Sequence, residues 1–236
     1  MINNTASSKL KGVLFDMDGV LLDSMPNHAA AWVKTASQYG IESTEEDFYA
    51  WEGATSSYTV NALFNRQFGR DADADTVREV YSVKTRFFEE LPEPKPMKGA
   101  YELLKKIKSQ GLKPVIVTGS SQRTLINRIE RTFPGIFNMD TLVTGDMVKQ
   151  GKPFPEPYLQ GLAKGGFTTR EAIVVENAPL GVRSGRAAGL FTVAVNTGPL
   201  HESILMEAGA NRYFRSMAEL GEAWDSLRGE LETSIL

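Results

Sequence analysis

The chain of 236 residues contains no cysteine and only two histidines, His28 and His201. Without cysteine, the protein cannot form disulfides, thiolate metal sites or a cysteine nucleophile. Two imidazoles are too few for a histidine-rich zinc site. The sequence also lacks the run of ~20 apolar residues that a membrane-spanning helix needs. These absences leave carboxylates, hydroxyls, amides and amines as the candidate functional groups.

The chain also lacks an excess of charge of either sign. It has 26 Lys and Arg residues against 29 Asp and Glu residues, which gives a formal net charge of −3. This balance does not indicate a basic surface for nucleic acid or anionic lipid. The first eight residues are polar and do not form a secretory signal. We therefore expect a cytoplasmic monomer with no nucleic-acid or membrane partner.

Short apolar runs alternate with helix-length segments over most of the chain. The runs lie at residues 13–15, 114–117, 141–143, 172–175 and 191–195. The helical segments lie at residues 100–109, 122–132, 157–164 and 180–188. Runs that are apolar on both faces are typical of buried parallel strands. The alternation therefore predicts an α/β fold with a mainly parallel sheet.

One long segment interrupts this alternation. Residues 25–92 show helical periodicity and no convincing strand. Because this connection far exceeds the ~10–12 residues of a simple crossover, it predicts an inserted helical domain. We expect a core formed by residues 1–23 and 93–236 and a helical cap domain formed by residues 24–92. Prolines between residues 92 and 96 predict a semi-rigid return linker, on which the cap opens and closes.

Two carboxylates follow the first predicted strand. Asp16 and Asp18 are two residues apart, and alternate side chains of an extended chain point the same way. Ligands of open α/β sheets bind at the carboxyl ends of the strands. Paired carboxylates repel each other unless a cation or a shared proton compensates. On this pair alone, a turn with two solvated aspartates is an equally good interpretation.

Polar residues at two other predicted strand ends favour a phosphate site. Thr118, Gly119 and Ser120 follow the second apolar run and precede a helix, whose free N–H groups suit phosphate oxygens. Glu176 and Asn177 follow the fourth run, and their oxygens suit Mg²⁺. Taken alone, a serine at this position is more often a helix N-cap.

A lysine follows the third apolar run, in Gly151-Lys152-Pro153. The spacing is not that of a P-loop, and no G-x-G-x-x-G segment follows any predicted strand, which weakens a dinucleotide-binding alternative. A single lysine is usually a solvated surface residue. Lys152, however, follows the third apolar run, between the polar groups that follow the second and fourth runs. A site shared by all of these groups is therefore the better interpretation.

The four segments together resemble the motifs of a known family. Asp16-Met17-Asp18-Gly19-Val20, Thr118-Gly119-Ser120, Lys152-Pro153 and Glu176-Asn177 are similar, in this order, to the four motifs of the haloacid dehalogenase superfamily. Within it, the sequence most resembles the β-phosphoglucomutase-like phosphatases and mutases, including their inorganic pyrophosphatase branch. The resemblance implies a Rossmann-like core, a small helical-bundle cap, an Mg²⁺ cofactor and a cis peptide bond between Lys152 and Pro153.

The resemblance also implies a role for each motif residue. Asp16 is the expected nucleophile, which forms an aspartyl phosphate, and Asp18 is the expected acid and base. The implied catalytic residues are Asp16, Asp18, Thr118 and Lys152. Gly119 and Ser120 are expected to bind the substrate phosphate. The implied Mg²⁺ ligands are Asp16, Asp18, Glu176 and Asn177.

Three residues of the predicted cap complete the expected substrate site. His28 and Lys84 match positions that the mutases of this group use around their substrate. Glu52 lies in a segment that resembles the substrate-specificity loop, and Ser56 stands where the mutases have an arginine for the distal phosphate. Glu52 could supply the negative charge that is lost because Asn177 replaces an acid present in many relatives. The alternative for these cap residues is an ordinary place on the protein surface.

Three functions remain open from the sequence. The first is an Mg²⁺-dependent phosphohydrolase that acts on a small phosphate compound, with inorganic pyrophosphate as the leading substrate. The second is a β-phosphoglucomutase, which interconverts β-glucose 1-phosphate and glucose 6-phosphate. The third is a phospho-accepting regulatory domain, which needs neither a cap nor a leaving-group acid such as Asp18.

Overall fold

The apolar runs form neighbouring strands of one sheet. A computed structural model describes residues 9–120 and 124–233. Its strands are β1 (Gly12–Phe15), β2 (Lys113–Val117), β3 (Leu142–Val143), β4 (Ala172–Glu176), β5 (Phe191–Val195) and β6 (Arg212–Phe214). They lie in the order β3-β2-β1-β4-β5-β6, and every pair of neighbours is parallel. The prediction of a Rossmann-like α/β fold is confirmed.

Helices occupy the segments between the strands. They are α1 (Met25–Gln38), α2 (Glu45–Ala50), α3 (Ser56–Phe68), α4 (Ala74–Glu89), α5 (Ala100–Ser109), α6 (Thr124–Thr132), α7 (Glu156–Gly165), α8 (Pro179–Ala187), α9 (Glu202–Glu207) and α10 (Met217–Thr233). The first two residues of the helix predicted at 122–132 lie outside the described residues. Within the described ranges, no helix is both long enough and apolar enough to cross a membrane.

Side chains of the sheet pack against helices on both faces. Val13 and Phe15 of β1 belong to a core that includes residues of α5, α6 and α10, whereas Leu14 belongs to a second core with residues of α7. All four residues of β1 are buried. This double coverage explains why the strand reads as a continuous apolar run.

The segment between β1 and α5 is helical, as its periodicity predicts. Helices α1 to α4 share an apolar cluster of their own, which includes Trp32, Phe48, Leu63 and Val80. Polar caps define their starts, because the side chains of Thr44, Thr55 and Asp73 accept hydrogen bonds from the first turns of α2, α3 and α4. The exact division of the chain into cap and core remains a prediction.

Two antiparallel linkers connect this helical segment to the sheet. The Asp23 N–H donates to the Lys95 carbonyl at 2.9 Å, and the Met97 N–H donates to the Leu21 carbonyl at 2.8 Å. A single β-bridge joins Leu22 to Pro96 between these bonds. The outgoing and returning chains therefore lie side by side near the end of β1.

Candidate active site

Three neighbouring strands bring the predicted site residues to one edge of the sheet. Asp16 follows β1, Thr118 follows β2, and Glu176 is the last residue of β4. Because β2, β1 and β4 are adjacent and parallel, their carboxyl ends meet. A cavity of about 80 Å³ lies above Asp16, Asp18 and Thr118 and is closed on its other side by the helical segment.

Asp16 is buried against a lysine. The Lys152 Nζ donates to Asp16 Oδ1 at 2.5 Å and to Glu176 Oε1 at 2.6 Å. Burial, with smaller contributions from Glu176 and Asp18, raises the pKa of Asp16 to about 8 against the opposing effect of Lys152. Burial would lower the pKa of Lys152, but the two carboxylates outweigh it and raise that pKa above its usual range. Lys152 is therefore a permanent cation beside Asp16, and the peptide bond to Pro153 is cis, as expected.

Both carboxylate oxygens of Glu176 accept hydrogen bonds from other groups of the protein. Oε1 accepts hydrogen bonds from Lys152 and from the Tyr158 hydroxyl, the latter at 2.9 Å. Oε2 accepts from the backbone N–H groups of Asn177 at 2.9 Å and Ala178 at 3.1 Å. These four bonds make Glu176 an orienting partner of Lys152, and its role as a metal ligand stays a prediction.

Asp18 is held by residues of the helical segment. Its Oδ1 accepts from the Ser24 hydroxyl at 2.5 Å and lies 3.1 Å from His28 Nε2. Lys84 Nζ lies 2.7 Å from His28 Nδ1. Since an ammonium only donates, Nδ1 is the acceptor and Nε2 carries the proton that faces Asp18. Burial raises the pKa of Asp18, but His28, Ser24 and Lys84 outweigh it, so that its pKa lies below the usual value.

Glu52 enters the site from the helical side. Its Oε1 accepts a hydrogen bond from Asn177 Nδ2 at 2.8 Å, and its side chain is buried. Burial raises the pKa of Glu52 well above its usual value, and the nearby Asp16 adds to this effect. Glu52 therefore faces the Asp16 side of the cleft, as the pyrophosphate hypothesis requires, and it is not a solvated surface acid.

The side-chain oxygen of Asn177 is the first indication that the donor atoms of this site suit a divalent metal. Asn177 Oδ1 is buried and has no hydrogen-bond partner, although unpaired buried acceptors are costly. Among the residues that the structure describes, no three His, Cys, Asp or Glu side chains converge to hold a metal. An amide oxygen, the Asp16 carboxylate and the main-chain carbonyl of Asp18 are hard donors that fit Mg²⁺. The residues present are therefore compatible with this ion.

The loop that carries Glu52 packs tightly over the core. A Cβ added to Gly119 would lie 2.8 Å from the Gly53 carbonyl oxygen, and one added to Gly151 would lie 2.4 Å from Thr55 Cγ2. The Thr118 hydroxyl accepts a hydrogen bond from the Ser120 N–H at 3.0 Å. These glycines allow a close approach between the two sides of the cleft.

Sequence reasoning missed three residues of this site. Ser24 binds Asp18, Tyr158 binds Glu176, and Gly181 leaves space for Glu176, since a Cβ there would lie 1.6 Å from Glu176 Oε1. Only Ser24 carried a signal, because it is a hydroxyl at the boundary of the predicted cap. Tyr158 reads as an ordinary apolar position of α7.

Comparison with known proteins identifies the family. The family model described as haloacid dehalogenase-like hydrolase matches residues 13–195. This span begins within β1, ends with β5 and contains every site residue described above. The chain belongs to the haloacid dehalogenase-like hydrolases.

Several family members resemble this chain along most of its length. It is 33% identical over 190 residues to hexitol phosphatase A of Escherichia coli, covering 80% of this chain and 84% of that one. It is 31% identical over 202 residues to the phosphorylated carbohydrates phosphatase of Thermotoga maritima, covering 85% and 92%. A solved structure described as "Putative beta-phosphoglucomutase from Bacteroides vulgatus" shares 49% identity and a TM-score of 0.91, covering 95% of this chain and 91% of that one. This haloacid dehalogenase-like hydrolase is therefore an enzyme of the phosphatase and phosphoglucomutase type.

Proposed function

We propose that the protein is an Mg²⁺-dependent phosphohydrolase that works through an aspartyl phosphate, with inorganic pyrophosphate as its leading substrate. The observation that carries the proposal is the buried contact between Glu52 and Asn177, on the side of the cleft that faces Asp16. The haloacid dehalogenase-like hydrolases supply the reaction type. The choice of substrate comes from the cap residues of this chain.

Asp16 is the nucleophile in this mechanism. It attacks phosphorus in line and forms an acyl phosphate, the aspartyl phosphate, while the bond from phosphorus to the leaving oxygen breaks. Lys152 neutralises the carboxylate before the attack and stabilises charge on the phosphoryl oxygens afterwards. Glu176, with its four hydrogen bonds, keeps the lysine ammonium at this position.

Asp18 transfers the protons. It protonates the leaving oxygen in the first step and accepts a proton from the attacking water in the second. His28, which contacts Asp18, and Lys84, which contacts His28, belong to the cap, so this chain of contacts exists only while the cap lies over the core. Thr118, Gly119 and Ser120 bind the phosphoryl oxygens through hydroxyl and backbone N–H groups.

Mg²⁺ would be held by Asp16, the main-chain carbonyl of Asp18 and Asn177 Oδ1, and it supplies positive charge between the nucleophile and the anionic phosphoryl group. Asn177 contributes no negative charge to this set. Glu52 lies beside it and restores that charge from the cap. Binding of the ion and closure of the cap therefore support each other.

The shape and charge of the cleft favour a compact substrate. The cavity of about 80 Å³ lies between the residues at the strand ends and the cap, and pyrophosphate is the more compact of the two candidate substrates for it. Ser56 lines it where a sugar-phosphate mutase has an arginine, Lys84 binds His28, and the neutral His28 binds Asp18. Pyrophosphate that is bound as its magnesium complex tolerates the nearby carboxylate of Glu52.

A second candidate is a sugar phosphate, either hydrolysed or isomerised as in β-phosphoglucomutase. The relatives reported above are named for carbohydrate phosphates, and none of those names mentions pyrophosphate. Trp32, Trp51 and Tyr81 line the cavity, and aromatic side chains of this kind can pack against a sugar. This observation favours a carbohydrate leaving group if the cap opens further.

Phosphorus NMR separates the two candidates. The enzyme with Mg²⁺ is given pyrophosphate, hexitol and hexose phosphates, or β-glucose 1-phosphate with a bisphosphate primer. We expect loss of the pyrophosphate signal at a kcat/KM well above that for any sugar phosphate. Conversion of β-glucose 1-phosphate to the 6-phosphate without pyrophosphate hydrolysis would replace our proposal with the mutase.

The variant Asp16→Asn tests the mechanism itself. Asparagine keeps the shape of the side chain but is not a nucleophile, so turnover should fall at least about 10³-fold while the melting temperature is maintained. Acid-quenched protein should carry phosphate in the wild type and none in the variant. Turnover near the wild-type rate would disprove the aspartyl phosphate.

The remaining expectations complete the proposal. The cap comprises residues 24–92 and the core residues 1–23 and 93–236, and the protein works as a cytoplasmic monomer. Support for this division comes from the separate apolar cluster of α1 to α4 and from the two linkers beside Leu22.

A further inference from the structure

The loop after β5 contacts both sides of the cleft. The Thr197 hydroxyl donates to the main-chain carbonyl of Gly19 at 2.5 Å. A Cβ added to the next residue, Gly198, would lie 3.0 Å from Cδ1 and 3.1 Å from Cε1 of Tyr49, which belongs to α2. Thr197 therefore contacts the loop after β1 that carries Asp18 and Gly19, which we call the catalytic loop. Gly198 contacts the cap.

Gly19 is the residue at which the two sides of the cleft meet. It follows Asp18 directly and has a φ of 77°, a region that favours glycine. A Cβ there would lie 2.1 Å from Asn177 Nδ2 and 2.8 Å from Glu52 Oε1. Its N–H donates to the Leu22 carbonyl at 2.8 Å, while its carbonyl accepts from Thr197.

We propose that Thr197 is a positioning residue for the catalytic loop and that Gly198 is the seat for Tyr49 of the cap. This inference rests on the proposed function. The hydroxyl of Thr197 fixes the peptide after Gly19, and through it the direction of the Asp18 carbonyl and the Asp18 side chain. Tyr49 lies three residues before Glu52, so the fit of its ring against Gly198 sets how far Glu52 reaches towards Asn177.

The physical reason is the orientation of one peptide group. Glycine has no side chain to restrict its ψ angle, so the peptide after Gly19 depends on its hydrogen bonds. Removal of the Thr197 hydroxyl leaves the Gly19 carbonyl without this donor, and the loop gains freedom next to the reacting atoms. Small displacements of catalytic groups reduce the rate strongly.

A matched pair of variants tests Thr197. Thr197→Val keeps the shape and removes the hydroxyl, whereas Thr197→Ser keeps the hydroxyl. We expect the valine variant to lower kcat about tenfold, the effect of one lost hydrogen bond, with KM and the melting temperature nearly unchanged. The serine variant should stay within about twofold of the wild type. Equal losses in both variants, or no loss in the valine variant, would overturn the proposal.

A complementary variant tests Gly198. Gly198→Ala places a methyl group against the Tyr49 ring, so we expect KM for the substrate to rise several-fold with little change in melting temperature. Tyr49→Ala in the same chain removes the clash and should return part of the lost affinity. An unchanged KM in Gly198→Ala would overturn the role of this glycine as the seat for the cap.

Amide hydrogen exchange separates this inference from the proposed function. Without metal or substrate, Thr197→Val should speed exchange of the Gly19 N–H, and Thr197→Ser should not. If the wild-type enzyme hydrolyses none of the phosphate compounds, the proposed function fails, but the exchange comparison still reports on Thr197. Equal exchange rates at Gly19 in wild type and Thr197→Val would overturn the positioning role.

Discussion

Three buried carboxyl groups and a partly buried one, that of Asp18, share the active site with few cations. Asp16, Asp18, Glu52 and Glu176 are all close enough to influence each other's charge. Lys152 is shared by two of them, and Asp18 has its own partners in the cap. The pKa values of Asp16 and Glu52 are raised because their burial is not fully compensated by positive charge. A divalent cation would satisfy these two groups together with Asn177 Oδ1.

Glu52 is the single residue on which the substrate proposal depends most. Glu52→Gln keeps an oxygen that accepts from Asn177 Nδ2 but removes the charge. We expect pyrophosphate turnover to fall at least about tenfold, because the charge that supports Mg²⁺ is lost. The melting temperature of the metal-free protein should stay the same or rise, since a buried carboxylate is replaced by a neutral amide.

A swap variant provides the control for this prediction. Glu52→Gln with Asn177→Asp returns one carboxylate to the same pair of positions and should recover part of the activity. Steady-state kinetics over a range of Mg²⁺ concentrations measures both effects. Full activity of Glu52→Gln would remove the main physical support for pyrophosphate.

Helix α4 carries a lysine at a cost in stability. Lys84 is buried beside His28 and lies 4.8 Å from the centre of the Phe88 ring. Burial lowers its pKa from 10.5 to about 8, although Asp18 opposes the shift. The folded state therefore holds this proton less tightly than the unfolded chain does. Below pH 8 both states are protonated and the cost is present in full, whereas it disappears as pH rises from 8 to 10.5.

The variant Lys84→Met should therefore be more stable and less active than the wild type. We expect a gain on the order of 1 kcal/mol in unfolding free energy at pH 7, which shrinks towards pH 10.5. Turnover should fall because His28 loses the donor to Nδ1 and orients Asp18 less well. Urea denaturation of both proteins at several pH values measures the difference. A variant that is less stable at pH 7, or a difference independent of pH, would contradict this account.

Helix α8 must pass close to Glu176. A Cβ on Gly181 would lie 1.6 Å from Glu176 Oε1, so Gly181→Ala should cost on the order of 2 kcal/mol of stability and displace Glu176 from Lys152. Gly229→Ala in α10 is the matched control, because nothing lies within 4 Å of a Cβ there. This control should gain about 0.5–1 kcal/mol from the higher helix propensity of alanine. Chemical denaturation tests both, and equal effects at the two glycines would contradict the packing argument.

At the scale of the whole molecule, the cleft is formed between the helical segment and the sheet. The chain crosses between them at the two linkers joined near Leu22 and Pro96. With the cap closed, Glu52 and His28 complete the site; substrate entry requires that they move away. We therefore predict that the cap opens during each catalytic cycle.

The absence of cysteine makes this motion measurable. Arg70→Cys in the cap and Arg183→Cys in α8 place the two thiols of the chain at exposed positions for spin labels. We expect two distance populations in the free protein. In the Asp16→Asn background, Mg²⁺ with pyrophosphate should shift them to the shorter, closed population. A single distribution that is unaffected by ligand would contradict cap motion.

Much of the fold follows from short-range sequence patterns. β1, β2, β4 and β5 were predictable because each is a buried apolar run with glycine or polar residues at its ends. Strand β6 was missed, since Arg212–Phe214 has three residues and is only partly buried at the edge of the sheet. Helices α2, α9 and α10 were not predicted either. The six residues of α2 and of α9 give too little periodicity.

By itself, the sequence determined the chemistry available at the strand ends. The order of Asp16, Thr118, Lys152 and Glu176 along the chain predicts one shared site, because parallel strands bring their carboxyl ends together. The resemblance of these segments to the family's motifs is what implies phosphoryl transfer. Only the tertiary structure decided which group contacts which. In the structure, Glu176 contacts Lys152 and Tyr158, Asp18 contacts Ser24 and His28, and Asn177 contacts Glu52. These pairings join residues up to 125 positions apart across two packed units, and such contacts depend on how the surfaces fit and not on any local pattern.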